Sequence, residues 1–253
     1  MNLAYNKNGI KIYHNDFFDF INELEDESID LIFADPPYFL SNGGITCKSG
    51  KMENVDKGEW DKSSGLEFVH NFNKQWLSLC KNKLKKDGSI FISGTLHNIY
   101  SIGFALQELD YKIINDIAWF KVNPPPNLSC RYLTHSTETI LWARKSSKSK
   151  HTFNYQVSKE INIDNVGKQM LSLWKIMPPK KEEKKHGKHP TQKPLTLLDR
   201  IVKIASKEGD LVLDPFCGSG TTAIACLANN RKFIGTELDK QYVNLSIKRL
   251  EDC

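Results

Sequence analysis

The stretch 211-LVLDPFCGSGTTAIACLANN-230 decides the fold. It opens on an almost unbroken apolar run, Leu211 to Leu213, that ends in an acid. Two glycines then interrupt it, Gly218 and Gly220, and from Thr221 onward small and apolar residues follow at helical spacing. Strand, glycine turn and helix in direct succession form one half of a βαβ unit, which implies a parallel sheet. The run 30-DLIFA-34 has the same character, as a strand covered on both faces by helices requires. Further strands are expected at 10–14, 89–93, 111–121, 138–145 and 232–237, alternating with helices at 16–25, 67–84, 98–109, 192–206, 219–229 and 239–252. The 98–109 segment follows an Asn and sets Ile99, Ile102, Ala105, Leu106 and Leu109 on one face. The expectation is an α/β fold with a seven-stranded, mostly parallel sheet and helices on both faces.

The glycine turn carries chemistry as well as topology. Glycines let a backbone approach a ligand closely, and the N-terminus of the following helix adds N–H donors and a positive dipole. Gly218-x-Gly220-x-x-Ala223 matches the dinucleotide fingerprint, and Glu237 ends the next strand, where a carboxylate can take ribose hydroxyls. No Gly-Lys-Ser/Thr follows, so this is not a P-loop. The motif points to a nucleoside-containing cofactor and does not itself choose between a nicotinamide and S-adenosylmethionine. Its position is informative. Only 33 residues follow Gly220, so the remaining strands must come from earlier in the chain. That permuted order is odd for a dehydrogenase.

A second stretch, 29-IDLIFADPPYFL-40, also runs from strand into an acid. Ligands of open α/β sheets sit beyond the carboxyl ends of the strands. If the strands before Asp35 and before the glycine turn are neighbours, both motifs face one crevice. Asp35 can accept a hydrogen bond from an exocyclic amino group, and the carbonyl of Pro36 or Pro37 can accept its second proton. Tyr38 can stack on a flat base. Two acceptors on one amino group aim its nitrogen lone pair at an electrophile, which is positioning chemistry.

Composition narrows the surroundings. The chain has 253 residues, 40% hydrophobic, with a formal net charge of +5. From 144 to 188 there are twelve basic and four acidic residues, a local net of +8 that leaves the rest at −3. This localised charge suits a phosphate backbone, although a solvated lysine-rich loop is the plainer reading. The six cysteines, at 47, 80, 130, 217, 226 and 253, form no CxxC pair and lie near no His at zinc spacing, so neither disulfides nor a metal are expected. No apolar run is long enough to span a membrane, and MNLAYNKNGIKIYHND lacks the basic-then-apolar order of a leader; a cytoplasmic location is expected. The stretch 40–62 reads as a long mobile loop, and 122–190 as an insertion in a single domain spanning 1–253.

Taken as a set, Asp35-Pro36-Pro37-Tyr38, 123-NPPPN-127, 189-HPTQKP-194 and Asp214-Pro215-Phe216-Cys217-Gly218-Ser219-Gly220-Thr221-Thr222 resemble the DNA amino-methyltransferases in their β order. In that order the catalytic motif comes first, the target-recognition region second and the cofactor motif last. The resemblance covers nearly the whole chain. It implies a circularly permuted Rossmann-like methyltransferase fold, S-adenosylmethionine as methyl donor and DNA as substrate, with the target base flipped out of the duplex. The stretches 35-DPPYFLSNGGI-45, 56-DKGEWDK-62, 96-LHNIYSIG-103 and 126-PNLSCRYLTHSTETILWARK-145 are similar to the DpnA-type adenine methylases of GATC restriction-modification systems. That likeness implies adenine as the target, GATC as the site, single-stranded DNA as a further substrate, a homodimer, and a cognate endonuclease as functional counterpart. A cytosine amino-methyltransferase, which more often carries Ser at the first motif position, and a non-catalytic DNA-binding module are the alternatives.

Carried over residue by residue, Asp35 and Tyr38 hold the base while Pro36 and Pro37 shape the loop. Asp214, Phe216, Cys217, Gly218, Ser219, Gly220, Thr221 and Thr222 surround the cofactor. Glu237 meets its ribose, Asp16 approaches its adenine, and Asp35, Lys193 and Asp239 complete the site. Cys217 stands at a variable motif position and is expected to pack rather than react. Asn123, Asn127, Arg131 and His135 are the candidate DNA contacts.

Overall fold

Asn8 and Gly9, with φ of 53° and 79°, form the turn of the first hairpin, joining β1 (Leu3–Lys7) to β2 (Ile10–His14). The computed structural model describes residues 1–39, 45–48, 51–54, 65–124 and 126–253. The further strands are β3 (Ile29–Ala34), β4 (Ile45–Lys48), β5 (Lys51–Asn54), β6 (Leu84–Gly94), β7 (Lys112–Phe120), β8 (Thr137–Arg144), β9 (Leu173–Lys175), β10 (Leu211–Asp214) and β11 (Lys232–Glu237). The helices are α1 (Phe17–Asn22), α2 (Leu66–Lys83), α3 (Ile99–Glu108), α4 (Tyr155–Glu160), α5 (Leu195–Ala205), α6 (Thr221–Ala228) and α7 (Lys240–Glu251).

Among the described residues the main sheet has nine strands rather than seven, in the order β1-β2-β11-β10-β3-β6-β8-β7-β9. The seven expected strands form its continuous middle. The two additions are its edges, and each escaped sequence reading for a different reason. β1 is short and half polar, although the Asn8-Gly9 signal was there to be read. β9 is three residues long and exists only because it lies parallel to β7. Strands β2, β11, β10, β3 and β6 pair in parallel, and β8 runs antiparallel between β6 and β7.

Two apolar clusters sandwich the sheet. Leu31, Phe33, Val212 and Phe233 face α5, α6 and α7, while Ile32, Ala34, Leu213 and Ile234 face α1, α2 and α3. Adjacent residues of one strand thus enter opposite clusters, which is why these strands read as unbroken apolar runs. Fully burying one such side chain contributes roughly 1.5–3 kcal/mol.

The connections place the site. From β10 the chain passes through α6 to β11 on one side; from β3 it passes through α2 to β6 on the other. The switch point therefore falls between β10 and β3, which pair through Val212↔Leu31 and Leu213↔Ile32. The stretch read as a mobile loop holds a hairpin of β4 and β5. Its other residues, 40–44, 49–50 and 55–62, lie outside the described ones. Helix α5 starts at Leu195 rather than 192, because Pro194 is extended at its N-cap and the Glu183 carboxylate accepts from Leu195 N–H at 2.8 Å. That later start leaves Lys193 outside the helix.

Candidate functional site

Because β3 and β10 are neighbours, Asp35 and the glycine turn share one edge of the sheet. They open on a cavity of about 290 Å³ whose walls include Asp16, Asp35, Lys193, Phe216, Gly218 and Glu237. Pro36, Pro37, Tyr38, Asp214, Cys217, Ser219, Thr221, Thr222 and Asp239 line it as well.

The turn is held from its own strand outward. Asp214, buried at the end of β10, accepts from Phe216 N–H at 3.0 Å and from the Thr222 hydroxyl at 2.5 Å, tying the turn to the first residues of α6. Burial pushes its carboxyl up to about 7, against the pull of those two donors. Gly218 has φ of 53°, and its N–H donates to Glu237 Oε2 at 2.8 Å. The other oxygen, Oε1, accepts from Asp239 N–H at 2.8 Å. Each oxygen keeps a second lone pair, so Glu237 is braced and still able to accept a hydroxyl pair. Burial raises its carboxyl, and the two N–H groups oppose the rise. Asp16 and Asp239 act as N-caps, of α1 through Phe18 N–H and of α7 through Gln241 N–H, each at 2.7 Å. Cys217 is buried, its N–H bonded to the Thr236 carbonyl at 3.0 Å, and burial pushes its thiol far up, which suits packing.

Gly220, expected among the residues around the cofactor, stands on the side of the turn that meets α7. It is not among the residues lining the cavity. It occupies the left-handed region, with φ of 72°, and a Cβ there would lie 2.9 Å from Ser246 Cβ on α7. Its job is close packing of α7 against the turn. Sequence reading also missed the supports from α7. The Ser246 hydroxyl donates to Gly218 O at 2.9 Å, and buried Arg249 donates to Ser219 O, to Ser219 Oγ at 3.0 Å and to Thr221 Oγ1 at 2.9 Å. The spacing Tyr242, Ser246, Arg249 on one helical face was the available signal. His189 packs edge-on against Tyr242 of α7 at 4.2 Å and lies beside Gly218.

At the tip of β3 the Tyr38 hydroxyl donates to Asp35 Oδ1 at 2.5 Å, and the Lys193 ammonium pairs with Asp35 Oδ2. The ammonium also reaches the Tyr38 oxygen at 3.0 Å and stands 5.4 Å from the ring centroid. Burial raises Asp35, and Lys193 and Tyr38 oppose the rise; burial and Asp35 push the Tyr38 phenol far up. So Lys193, expected among the cofactor contacts, stands on the carboxylate as well as in the cavity wall. Phe39, with φ of 55°, takes a conformation costly for a bulky residue. It turns its ring onto Phe72 at 5.3 Å while Tyr38 faces the site. Phe216 packs against Phe17 at 5.5 Å and Trp76 at 5.6 Å, leaving an apolar wall beside the glycine turn.

The candidate DNA contacts lie apart from this cavity, in the connection between β7 and β8. Asn123, Arg131 and His135 are exposed. Asn127 is committed to its own loop: its amide donates to Tyr132 O at 2.6 Å, and its Oδ1 accepts from Ser129 N–H at 3.0 Å. These bonds help to shape the loop.

An α/β sheet with permuted order, a braced glycine turn and an acid at the neighbouring strand tip define the S-adenosylmethionine-dependent methyltransferase class. The residues fit that cofactor: an apolar wall at Phe216, an acceptor for ribose hydroxyls at Glu237, hydroxyls at Ser219 and Thr221 by a helix N-terminus, and the acids Asp35 and Asp214 in the lining, which would favour a cationic group. Residues 29–248 match the family model described as DNA methylase, and the chain belongs to that family. It is 54% identical over 248 residues to the Type II methyltransferase M2.DpnII of Streptococcus pneumoniae, covering 98% of this chain and 91% of that one. The crystal structure of an M1.HpyAVI–SAM complex superposes with a TM-score of 0.67 at 32% identity, covering 95% of this chain and 99% of that one. The PvuII DNA methyltransferase (cytosine-N4-specific) has a TM-score of 0.77 at 21% identity, over 98% of this chain and 88% of that one, a likeness of fold. The protein is a DNA methyltransferase whose methyl donor is S-adenosylmethionine.

Proposed function

We propose that the chain methylates the exocyclic amino group of adenine in GATC sites, as the modification activity of a Type II restriction-modification system. The observation that supports this most is Asp35: a buried carboxylate on the same sheet edge as the cofactor turn, followed by two proline carbonyls that have no N–H partner of their own residue to serve. S-adenosylmethionine, when bound, supplies an electrophilic methyl group. Asp35 accepts one amino proton of an extruded adenine, and the Pro36 carbonyl accepts the other. The nitrogen lone pair is then left pointing out of that plane, toward the glycine turn. The Tyr38 hydroxyl fixes the carboxylate's rotation. The exposed lysines Lys180, Lys181, Lys185 and Lys188 meet phosphates, and Arg131 and Asn123 face the bases.

The reading extends to residues 122–190 as the recognition insertion of a single domain, to single-stranded DNA as a second substrate, to a homodimer, and to a cytoplasmic setting beside an endonuclease that cuts the same site. No helix of the described residues is long and apolar enough to cross a membrane. Sequencing of modified bases in DNA from cells expressing the protein tests the chemistry. N6-methyladenine confined to GATC is expected, and absent with Asp35→Ala. Methyl groups on cytosine overturn the adenine assignment, and methyladenine outside GATC overturns the site. Light scattering tests the dimer.

A further inference from the structure

The ion pair on Asp35 is one link of a longer chain of alternating charge. Asp35 pairs with Lys193; Lys193 Nζ lies 3.9 Å from Glu138 Oε2; Glu138 Oε1 pairs with Lys121. Asp35, Lys193 and Glu138 retain only 6–12% of their side-chain surface. Glu138 sits on β8 and Lys121 just past β7, so the row begins at the catalytic tip of β3 and ends where the recognition insertion begins. A second cavity of about 310 Å³ lies along it, walled by Tyr38, Trp119, Lys121, Glu138 and Lys193. Its lining includes the buried Gln192 Oε1 and Thr95 Oγ1, neither of which has a hydrogen-bond partner among the described residues. Buried polar groups of that kind are normally satisfied by something.

In this arrangement both oxygens of Asp35 are engaged, Oδ1 by Tyr38 and Oδ2 by Lys193. A target amino group must either share one of them with the donor already there or displace that donor. The Tyr38 bond is internal to the motif and orients the carboxylate. The ammonium is the replaceable partner, because a second carboxylate stands within about 1 Å of ordinary pairing distance for it. The move would exchange one ion pair for another inside the same buried row, and the anion it uncovers, Asp35, is the one the amino group then meets.

Resting on the adenine reading above, we propose that Lys193 is a positioning residue that the target base transfers from Asp35 to Glu138, and that Glu138 is the built acceptor of that transfer. In the free protein the ammonium closes the catalytic carboxylate. With the base in place it closes Glu138 instead. Asp35 is then an unshared anion beside the amino group, a stronger acceptor than a carboxylate already neutralised by a lysine. Lys121 keeps Glu138 paired in both positions.

The test measures KM for GATC duplex DNA and kcat in two variants, with cofactor affinity by calorimetry. Lys193→Met removes the competitor for Asp35, so KM for DNA falls several-fold while kcat drops at least tenfold for want of the buried counter-charge. Glu138→Gln leaves the ammonium no anion to move to, so KM rises several-fold and kcat also drops. Opposite signs in KM are expected, with cofactor affinity unchanged in Glu138→Gln. In the double variant the Glu138 change costs nothing beyond Lys193→Met alone. A KM moved in the same direction by both, or a Glu138→Gln enzyme with wild-type constants, overturns the proposal. Should the Gln variant not fold, Glu138→Asp, which shortens the reach by one methylene, must raise KM in the same assay. A wild-type protein that leaves adenine unmethylated defeats the underlying reading instead, and is distinguishable because it needs no variant.

Discussion

Two glycines two residues apart can be separated by experiment, and the separation tests how the cofactor turn is built. At Gly220 an added Cβ meets Ser246 Cβ at 2.9 Å, its Oγ at 3.0 Å and the α7 backbone at 3.3 Å. The backbone there cannot give without moving α7. Two costs add: about 1–2 kcal/mol for holding a non-glycine residue in the left-handed region, and about 1–3 kcal/mol for overpacking. Gly220→Ala should therefore lose ~2–5 kcal/mol, a fall in Tm of roughly 5–15 °C for a chain of this size. The folded protein should still bind S-adenosylmethionine with nearly unchanged affinity. At Gly218 the conformation is also left-handed, but the nearest atoms, at 3.3 Å, belong to the His189 ring, a side chain that can turn aside. Gly218→Ala should cost only about 1–2 kcal/mol of stability. Its methyl group stands in the cavity wall, so cofactor affinity should fall at least tenfold. Thermal unfolding and calorimetric titration of both variants decide the matter. If Gly220→Ala keeps its stability and loses the cofactor, the packing account of the turn is wrong.

Other outcomes follow from the same geometry. Burial pushes Asp214 up to about 7 from an ordinary value of 3.8, so the folded chain holds a proton that the unfolded chain releases. The stability this provides is complete below about pH 4 and declines as pH rises to about 7; Asp214→Asn should flatten that slope in Tm measured from pH 4 to 8. Arg249→Met removes the shared donor of Ser219 O and Thr221 Oγ1 and should destabilise the protein by about 3 kcal/mol in urea unfolding, with cofactor affinity falling too because the turn loosens. Glu237→Gln keeps the length but turns one acceptor oxygen into a donor facing the Gly218 or the Asp239 N–H, so calorimetry should show cofactor affinity reduced at least tenfold and Tm should fall by several degrees.

The strands of the sheet's middle were legible because burial on both faces leaves a direct trace, an unbroken apolar run such as 211-LVL-213 or 31-LIF-33. The chemistry of the two motifs was legible because each is a set: acid, two prolines and a ring in one run, and a glycine turn that leads straight into a helix. Asp35, Glu237 and Phe216 stand where that reading put them, in one cavity. The adjacency of β3 and β10 could only be posed as a condition, since strand order depends on which helices cross to which side. Tertiary structure alone decided the supports. Arg249 lies 28 residues beyond Thr221 and Glu138 lies 103 beyond Asp35; helical spacing puts Arg249 on the face of Ser246, but neither residue's local sequence says which turn or which carboxylate it meets. It likewise decided what each glycine is for. Gly218 and Gly220 share a conformation that sequence can anticipate, yet one faces the cavity and the other the helix α7. Local preference sets backbone angles and the side of a strand a residue faces. What a side chain meets there is set by packing between segments far apart in the chain, and in this protein that packing makes Lys193 a partner of the Asp35 carboxylate.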